Sequence, residues 1–175
     1  MRRMLIATAA VLFGISGSVL ADGPMIRWER IVGVINPQGA ANPDVMVAGM
    51  PVTRSTAIVD GRVILNLETG FIAIDVKGLS WAGQFGPTAL GSAPTAVQRL
   101  GSVVCDATRD AGVVVDTPAL ELVDGSGSFR GVVDPAQLAA CRLHPERTVF
   151  LLRNGALHPT APNTVLGYGI GRTIQ

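Results

Sequence analysis

The apolar residues of this chain occur in short runs, and this pattern limits the fold more than any other feature. From Trp28 onward, runs of about four to eight residues rich in Val, Ile, Leu and Phe are separated by Gly, Pro, Asn and Asp. Such runs are typical of strands, and the helical spacing of apolar residues is nearly absent. The sequence therefore predicts an all-β fold, an antiparallel β-sandwich of about eight to ten strands with Greek-key or meander connections.

The predicted strands are separated by dipeptides that favour tight turns. These residue types tolerate the positive φ angles that tight hairpins require. The dipeptides of this class are Asp60-Gly61, Thr69-Gly70, Asp124-Gly125 and Asn154-Gly155. Apolar residues alternate on both sides of Thr69-Gly70, so a hairpin with one buried face is predicted there. The candidate strands are 28–35, 55–59, 62–67, 71–76, 97–105, 113–117, 120–123, 128–133, 148–153 and 165–172.

One short helix is predicted at residues 134–141. Asp134 can cap its first turn, and Pro135 suits the first helical position because its φ angle is preset. This helix would carry Cys141 towards the strand that ends at Cys105.

The N-terminal segment has the pattern of a secretory signal peptide. A pair of arginines precedes an apolar run, and small residues then occupy the positions that a signal peptidase reads, ending at Ala21. The run is shorter than the ~20 apolar residues of a transmembrane helix. We therefore expect a signal peptide at 1–21, a single β-sandwich domain at 22–175, and a secreted or periplasmic product without a membrane span. Because Asp22 rather than a cysteine follows the predicted cut, a lipoprotein anchor is not expected.

The cysteines are interpreted as a covalent link. Cys105 and Cys141 are the only pair, and an even number of cysteines in an exported chain predicts a disulfide. The alternative is a zinc or copper site that adds His144 and His158, since Cys141 and His144 have Cys-x-x-His spacing. The oxidising compartment, the scattered spacing and the proline after each histidine favour the disulfide. A nucleophilic Cys105 would need a nearby base, which the sequence does not indicate.

Two long irregular segments, 36–54 and 81–96, are rich in Pro and Gly. Loops of this length are uncommon in a compact domain and often carry function. Trp81 and Phe85 lie in the second segment and are candidates for a surface that stacks on a glycan or a protein partner. The simpler interpretation of Trp81 is a core residue.

The sequence contains no recognisable set of catalytic residues. A Gly-x-Ser-x-Gly elbow does not occur in 22–175, and the glycine-rich stretch 167–172 has no helix after it to bind a cofactor phosphate. Glu29 and Asp75 are a conceivable acid/base pair, but each lies in a predicted strand where an outward carboxylate is ordinary. We therefore expect a protein that is not an enzyme and that carries no cofactor. A hydrolase working from segment 81–96, with no residues to assign, is a further alternative.

The charge balance argues against one class of partner. Of the 14 lysines and arginines, Arg2 and Arg3 lie in the predicted signal peptide, which leaves 12 against 13 acidic residues. A nearly neutral chain without a basic cluster is not expected to bind nucleic acid. Sheet edges expose unpaired backbone groups that can pair with a second copy of the chain, so a homo-oligomer is an alternative to a monomer.

The segments "WERIVGVI", "GFIAIDVKGLSWAG", "GSVVCDA" and "SFRGVV" occur in an order that resembles uncharacterised exported bacterial proteins with a single β-rich domain. Residues 70–79 also resemble a strand of the chordin-type (CHRD) domain, in which alternating aliphatic residues precede Val-x-Gly-Leu. The resemblance implies export and an antiparallel sandwich without established catalysis. Ser80 and Trp81 stand where that domain has a histidine, so no metal ligand is implied.

Together these features predict an exported, non-catalytic β-sandwich protein. We expect it to act as a binding module for a protein or glycan partner, or as a structural module of the cell envelope. The alternative is a periplasmic protein that binds zinc or copper.

Overall fold

The computed structural model describes residues 23–36, 42–52, 54–82, 88–89, 99–107, 112–156 and 162–175. In these ranges the chain is mostly antiparallel β-structure, with one short helical segment. The elements are β1 (Met25–Gly33), β2 (Asn42–Val47), β3 (Met50–Val52), β4 (Thr56–Ala57), β5 (Asp60–Asn66), β6 (Phe71–Lys77), β7 (Ser80–Trp81), β8 (Thr88–Ala89), β9 (Arg99–Cys105), β10 (Val113–Ala119), β11 (Gly127–Val132), α1 (Ala139–Leu143), β12 (Val149–Asn154) and β13 (Val165–Ile174).

Most of the strands belong to one sheet that nearly closes into a barrel. Its main path runs β10-β9-β12-β13-β1-β5-β6-β11 with antiparallel neighbours, while β3 adds to β13 in parallel and β2 pairs with β3. The short strands β4, β7 and β8 form a separate small sheet. The predicted antiparallel β fold is confirmed. The predicted sandwich is not confirmed, because the strands follow one barrel-like path instead of two stacked sheets.

The main core lies on the inner face of this sheet. Val63 and Leu65 of β5 and Ile72 of β6 are fully buried there, as the predicted alternation requires. Trp28 of β1 packs against Phe150 of β12, with the ring centroids 6.0 Å apart. Apolar side chains therefore fill the inner face, so a site open to solvent is expected on the outer face of the sheet or in the loops.

A second, smaller core lies on the outer face, where β2 and β3 cover part of the sheet. Both strands lie in segment 36–54, so the prediction that this segment is irregular is wrong for these residues. Val104 of β9, Leu151 of β12 and Val165 of β13 are buried there against Val52 of β3. Strand β9 is thus covered on both faces, which agrees with its almost continuous burial. On the outer face of β1, β5, β6 and β11, by contrast, outward side chains remain accessible to solvent.

The predicted hairpin at Thr69-Gly70 is confirmed and joins β5 to β6. Gly70 has a φ of +70°, and a Cβ atom there would lie 2.1 Å from the carbonyl oxygen of Val133. The Asn66 side chain accepts hydrogen bonds from the backbone N–H groups of Glu68 and Thr69, both at 2.9 Å. A side chain and a glycine therefore define this turn together.

The predicted turn at Asp60-Gly61 is wrong. Both residues belong to β5, where they pair with Lys77 and Val76 of β6. A Cβ atom on Gly61 would lie 2.9 Å from the Cβ of Ile31. The glycine here allows close packing within the sheet, which is the other common use of glycine in a strand.

The predicted strand at 120–123 is also wrong, although the Asp124-Gly125 turn after it is present, with φ angles of 47° and 73°. Leu120 and Leu122 are buried in the main core without belonging to a strand. Their alternation reproduces the pattern of a strand, because irregular chain can also turn every second side chain inward. Strand β11, which follows this turn, pairs with β6.

The predicted helix is confirmed, with a 3₁₀ turn at Pro135–Leu138 that continues into α1. The Asp134 carboxylate accepts a hydrogen bond of 2.9 Å from the backbone N–H of Ala136. Leu138 and Cys141 are buried, so the helical segment is anchored in the core. Among the described residues, no helix has the length and apolar character needed to cross a membrane.

Candidate functional site

Cys105 and Cys141 form the predicted disulfide. The sulfur atoms are 2.00 Å apart, the Cα atoms are 4.5 Å apart, and both side chains are fully buried. The bond joins the end of β9 to α1 and closes a loop with a sequence separation of 36. These cysteines therefore stabilise the core and offer no thiol for chemistry.

The alternative metal site is not assembled. Its two cysteines are bonded to each other, so neither provides a thiolate. His144 is 44% exposed, and its Nδ1 lies 3.4 Å from Oε1 of Glu146. His158 lies outside the described residues. In the part of the chain that the structure describes, no group of metal-binding side chains comes together.

Trp81 lies in the small sheet, where it pairs with Thr56 of β4 and Thr88 of β8. Its side chain is half-buried and packs against the main core. Phe85 lies outside the described residues. The stacking surface formed by these two aromatic residues therefore stays a prediction.

A cleft of about 380 Å³ lies on the outer face of the sheet, away from all of these residues. It spans four strands that the main path places side by side, β1, β5, β6 and β11. The charged side chains that line it are Arg27, Glu29, Arg62, Asp75 and Arg130.

The charges in the cleft are only partly paired. Arg62 and Asp75 lie opposite each other on β5 and β6, and their Nε and Oδ2 atoms are 3.4 Å apart. For Arg27, Glu29 and Arg130, no ion pair with a described residue is found. The cleft therefore presents two cations and one carboxylate that are unpaired with respect to the described part of the chain.

Apolar side chains form the floor between these charges. Ile64 lies opposite Ala73, and Ala73 lies opposite Arg130, in one row across the strands. Phe71, two residues before Ala73 on the same face, is 41% exposed. The small Ala73 side chain between larger neighbours leaves the hollow, and the Phe71 ring borders it.

Arg27 differs from an ordinary surface arginine. It is half-buried beside Ile64, its partner on β5, and its Nε atom is buried without a hydrogen-bond partner among the described residues. A buried polar group that lacks a partner costs about 1–3 kcal/mol. Such a group in a native structure calls for an explanation, and a role in ligand binding, with a ligand atom that accepts a hydrogen bond from Nε, is one.

The sequence alone identified two of these cleft residues without bringing them together. Glu29 and Asp75 stood out as carboxylates, and both line the cleft. Arg27 was missed because the predicted strand began at Trp28, whereas β1 begins at Met25. Arg62 and Arg130 were missed because an outward arginine is normal in a half-exposed strand. The useful signal would have been the alternation Arg27-x-Glu29 and Arg62-x-Ile64 in two strands that turn out to be neighbours.

A second polar cluster lies on β9, β10 and β12. The Nε atom of Arg153 donates to Oγ of Ser102 at 2.6 Å, its Nη1 donates to Oδ1 of Asn163 at 2.8 Å, and its Nη2 lies 2.5 Å from Oδ2 of Asp116. Ser102 donates to Oδ1 of Asp116 at 2.6 Å. Each nitrogen of this guanidinium has a partner, which is the arrangement of a structural network.

Arg99, at the start of β9, is buried at 4% exposure. Burial lowers the pKa of its guanidinium to about 10, which still leaves the side chain charged at neutral pH. Its Nη1 donates to Oδ1 of Asn154 at 2.7 Å. Its Nε atom, like that of Arg27, is buried without a hydrogen-bond partner among the described residues. An unpaired Nε atom therefore does not by itself mark a binding site, and Arg27 differs from Arg99 because it lines the open cleft.

Comparison with protein-family models, with curated proteins and with solved structures finds no match for this chain. The resemblance to the chordin-type domain therefore stays a prediction.

Proposed function

We propose that this protein is a non-catalytic binding module that works in the periplasm or outside the cell, and that its ligand site is the outer cleft of β1, β5, β6 and β11. The observation that carries the proposal is Arg27, a half-buried arginine in an open cleft with no described partner for its Nε atom. The volume of about 380 Å³ falls within the range of small-molecule sites.

The location outside the cytoplasm has two independent supports. Residues 1–21 have the pattern of a signal peptide. The buried disulfide between Cys105 and Cys141 is of the kind that persists in oxidising compartments.

The chemistry of the lining favours binding over turnover. The described residues that line the cleft include no hydroxyl, thiol or imidazole group that could act as a nucleophile. One of the two carboxylates, Asp75, is engaged by Arg62. An acid/base pair of Glu29 and Asp75 would therefore lack a free second member.

The proposal can be tested by NMR titration of the isotope-labelled protein with a library of small polar and amphipathic compounds. We expect at least one compound to shift backbone resonances of β1, β5 and β6 selectively. Ala73→Phe should abolish these shifts because the new ring fills the hollow beside Phe71.

Ala119→Phe is the matched control, since Ala119 is an exposed alanine of β10, outside the cleft. It should leave binding unchanged. If no compound shifts the cleft resonances, or if both substitutions reduce binding equally, the cleft is not the binding site.

A further inference from the structure

We infer that the cleft binds a carboxylate-bearing sugar, a uronic acid residue at the end of or within a saccharide. This inference rests on the proposed function of the cleft as a binding site. Three features of the lining are each complementary to one part of such a ligand. They are the two arginines Arg27 and Arg130, the apolar hollow over Ala73 and the Glu29 carboxylate.

The arginines select a carboxylate. Arg27, Ile64, Ala73 and Arg130 lie in one row across four neighbouring strands. With strands about 4.8 Å apart, the Cα atoms of the two arginines are about 14 Å apart, and long side chains reach inward from both ends. A guanidinium binds a carboxylate with two parallel hydrogen bonds, which a point charge cannot do. Arg62 is less suited to this, because its Nε atom already lies 3.4 Å from Oδ2 of Asp75, whose carboxylate repels a second anion.

The hollow selects a ring with an apolar face. A ligand held over Ala73 would contact Ile64 below it and the half-exposed ring of Phe71 beside it. Aromatic rings present a large flat apolar surface at low entropic cost, so a ring stacked there removes apolar area from water. A bare inorganic anion would leave this floor unused.

Glu29 selects hydroxyl groups. An ionised carboxylate only accepts hydrogen bonds, so its ligand partner must be a donor. No described residue supplies that donor, and Glu29 is exposed at the rim of the cleft. A purely anionic ligand would be repelled here, whereas a ring that carries hydroxyls next to its carboxylate satisfies both kinds of group.

The direct test compares three probes that differ in one group, namely glucuronate, its methyl ester and glucose. Calorimetry or NMR titration of the purified protein at low salt should show binding of glucuronate, with the ester and glucose at least about tenfold weaker because neither carries the negative charge. Raising the salt concentration should weaken the binding of glucuronate and leave that of glucose unchanged.

The matching variants place the effect on the proposed residues. Arg27→Gln should weaken glucuronate binding about tenfold. Arg27→Lys should bind glucuronate with an affinity between those of Arg27→Gln and the wild type, because lysine keeps the charge but lacks the paired N–H donors of the guanidinium. Arg30→Gln is the control on the same strand, since Arg30 is exposed and does not line the cleft. Phe71→Leu should weaken glucuronate and glucose by the same factor, because it removes the stacking surface and leaves the charges in place.

The results also separate this inference from the proposed function. If glucose or inorganic phosphate binds as tightly as glucuronate, or if Arg30→Gln is as damaging as Arg27→Gln, the inference is overturned. Where another library compound still binds in a way that Ala73→Phe abolishes, the cleft remains a binding site for a different class of ligand. Where no compound binds there, both the inference and the proposed function fail.

Discussion

Two arginines on the outer face of the same sheet illustrate two different uses of a cation. Arg153 is only 8% exposed as a side chain, and each of its nitrogens has a protein partner. Arg27 is less buried, yet its Nε atom lacks a partner among the described residues. The first arrangement holds strands together, and the second leaves hydrogen-bonding capacity for something outside the chain. Hydrogen-bond satisfaction separates the two better than burial does.

The largest effect is expected in the part of the sheet formed by β9 and β12, which carries Cys105 and Arg153. Replacing both Cys105 and Cys141 by alanine should lower the free energy of unfolding by about 4 kcal/mol, from the chain entropy of the opened loop. Because β9 carries Cys105 and Ser102 together, hydrogen exchange should accelerate in β9 and α1 more than in β5 and β6. Urea denaturation and exchange by NMR measure the two effects. Titration of the native wild type should find no free thiol, and two reactive thiols would contradict the disulfide.

Arg153→Met should destabilise the protein by about 3 kcal/mol. The substitution leaves the Asp116 carboxylate without its cation and the buried Ser102 hydroxyl without its donor. Urea denaturation gives the value, and the double variant with Asp116→Asn should recover part of the loss because it removes the uncompensated charge. A loss below about 1 kcal/mol would mean that the network is not structural.

Unlike Arg153→Met, the substitution Arg27→Met should stabilise the protein and raise its free energy of unfolding by up to about 1 kcal/mol. Methionine reaches as far as the Nε position of arginine, so the substitution keeps the apolar stem and removes the buried Nε donor that has no partner among the described residues. Gains in stability on removing a functional residue are common, since such residues are kept for binding. Thermal unfolding of the wild type, Arg27→Met and Arg153→Met under the same conditions shows whether each substitution raises or lowers the stability. A clear loss of stability would place Arg27 in the same class as Arg153.

The smallest effect is expected at the ion pair within the cleft. Arg62→Gln should change the free energy of unfolding by less than about 0.5 kcal/mol, because the two side chains are 68% and 31% exposed and the pair is screened by solvent. Its effect should appear in glucuronate binding, where the freed Asp75 carboxylate repels the ligand. Equal glucuronate binding by this variant and the wild type would show that Asp75 lies too far from the bound anion to matter.

Local sequence patterns predicted a strand, a helix or a turn correctly where the pattern arises from residues close together in the sequence. The alternation around Val63 and Ile72, the cap at Asp134 and the hairpin at Thr69-Gly70 are confirmed. Asp60-Gly61 was mistaken for a turn, because glycine next to aspartate favours a turn locally whereas packing against Ile31 favours a strand. The second effect depends on a residue far away in the sequence.

The cleft could not have been predicted in the same way. Alternation in the predicted strands shows that Ile64, Ala73 and Arg130 each face away from the core, while Arg27 lies one residue before the predicted strand 28–35. It does not show that β1 lies beside β5 or that β11 lies beside β6, so the row itself is invisible. The two histidines attracted attention as rare residues with a known chemistry, while the arginines of the cleft were too common to stand out.

The amino-acid sequence by itself determined the class of secondary structure, the face of each confirmed strand that is buried and the pairing of the two cysteines. These properties follow from interactions between near neighbours and from the count of a single residue type. Only the tertiary structure decided that the sheet curls towards a barrel and that four separate strands place Arg27 and Arg130 around one apolar hollow. The register between strands distant in sequence depends on how the whole core packs, and no local pattern contains that information.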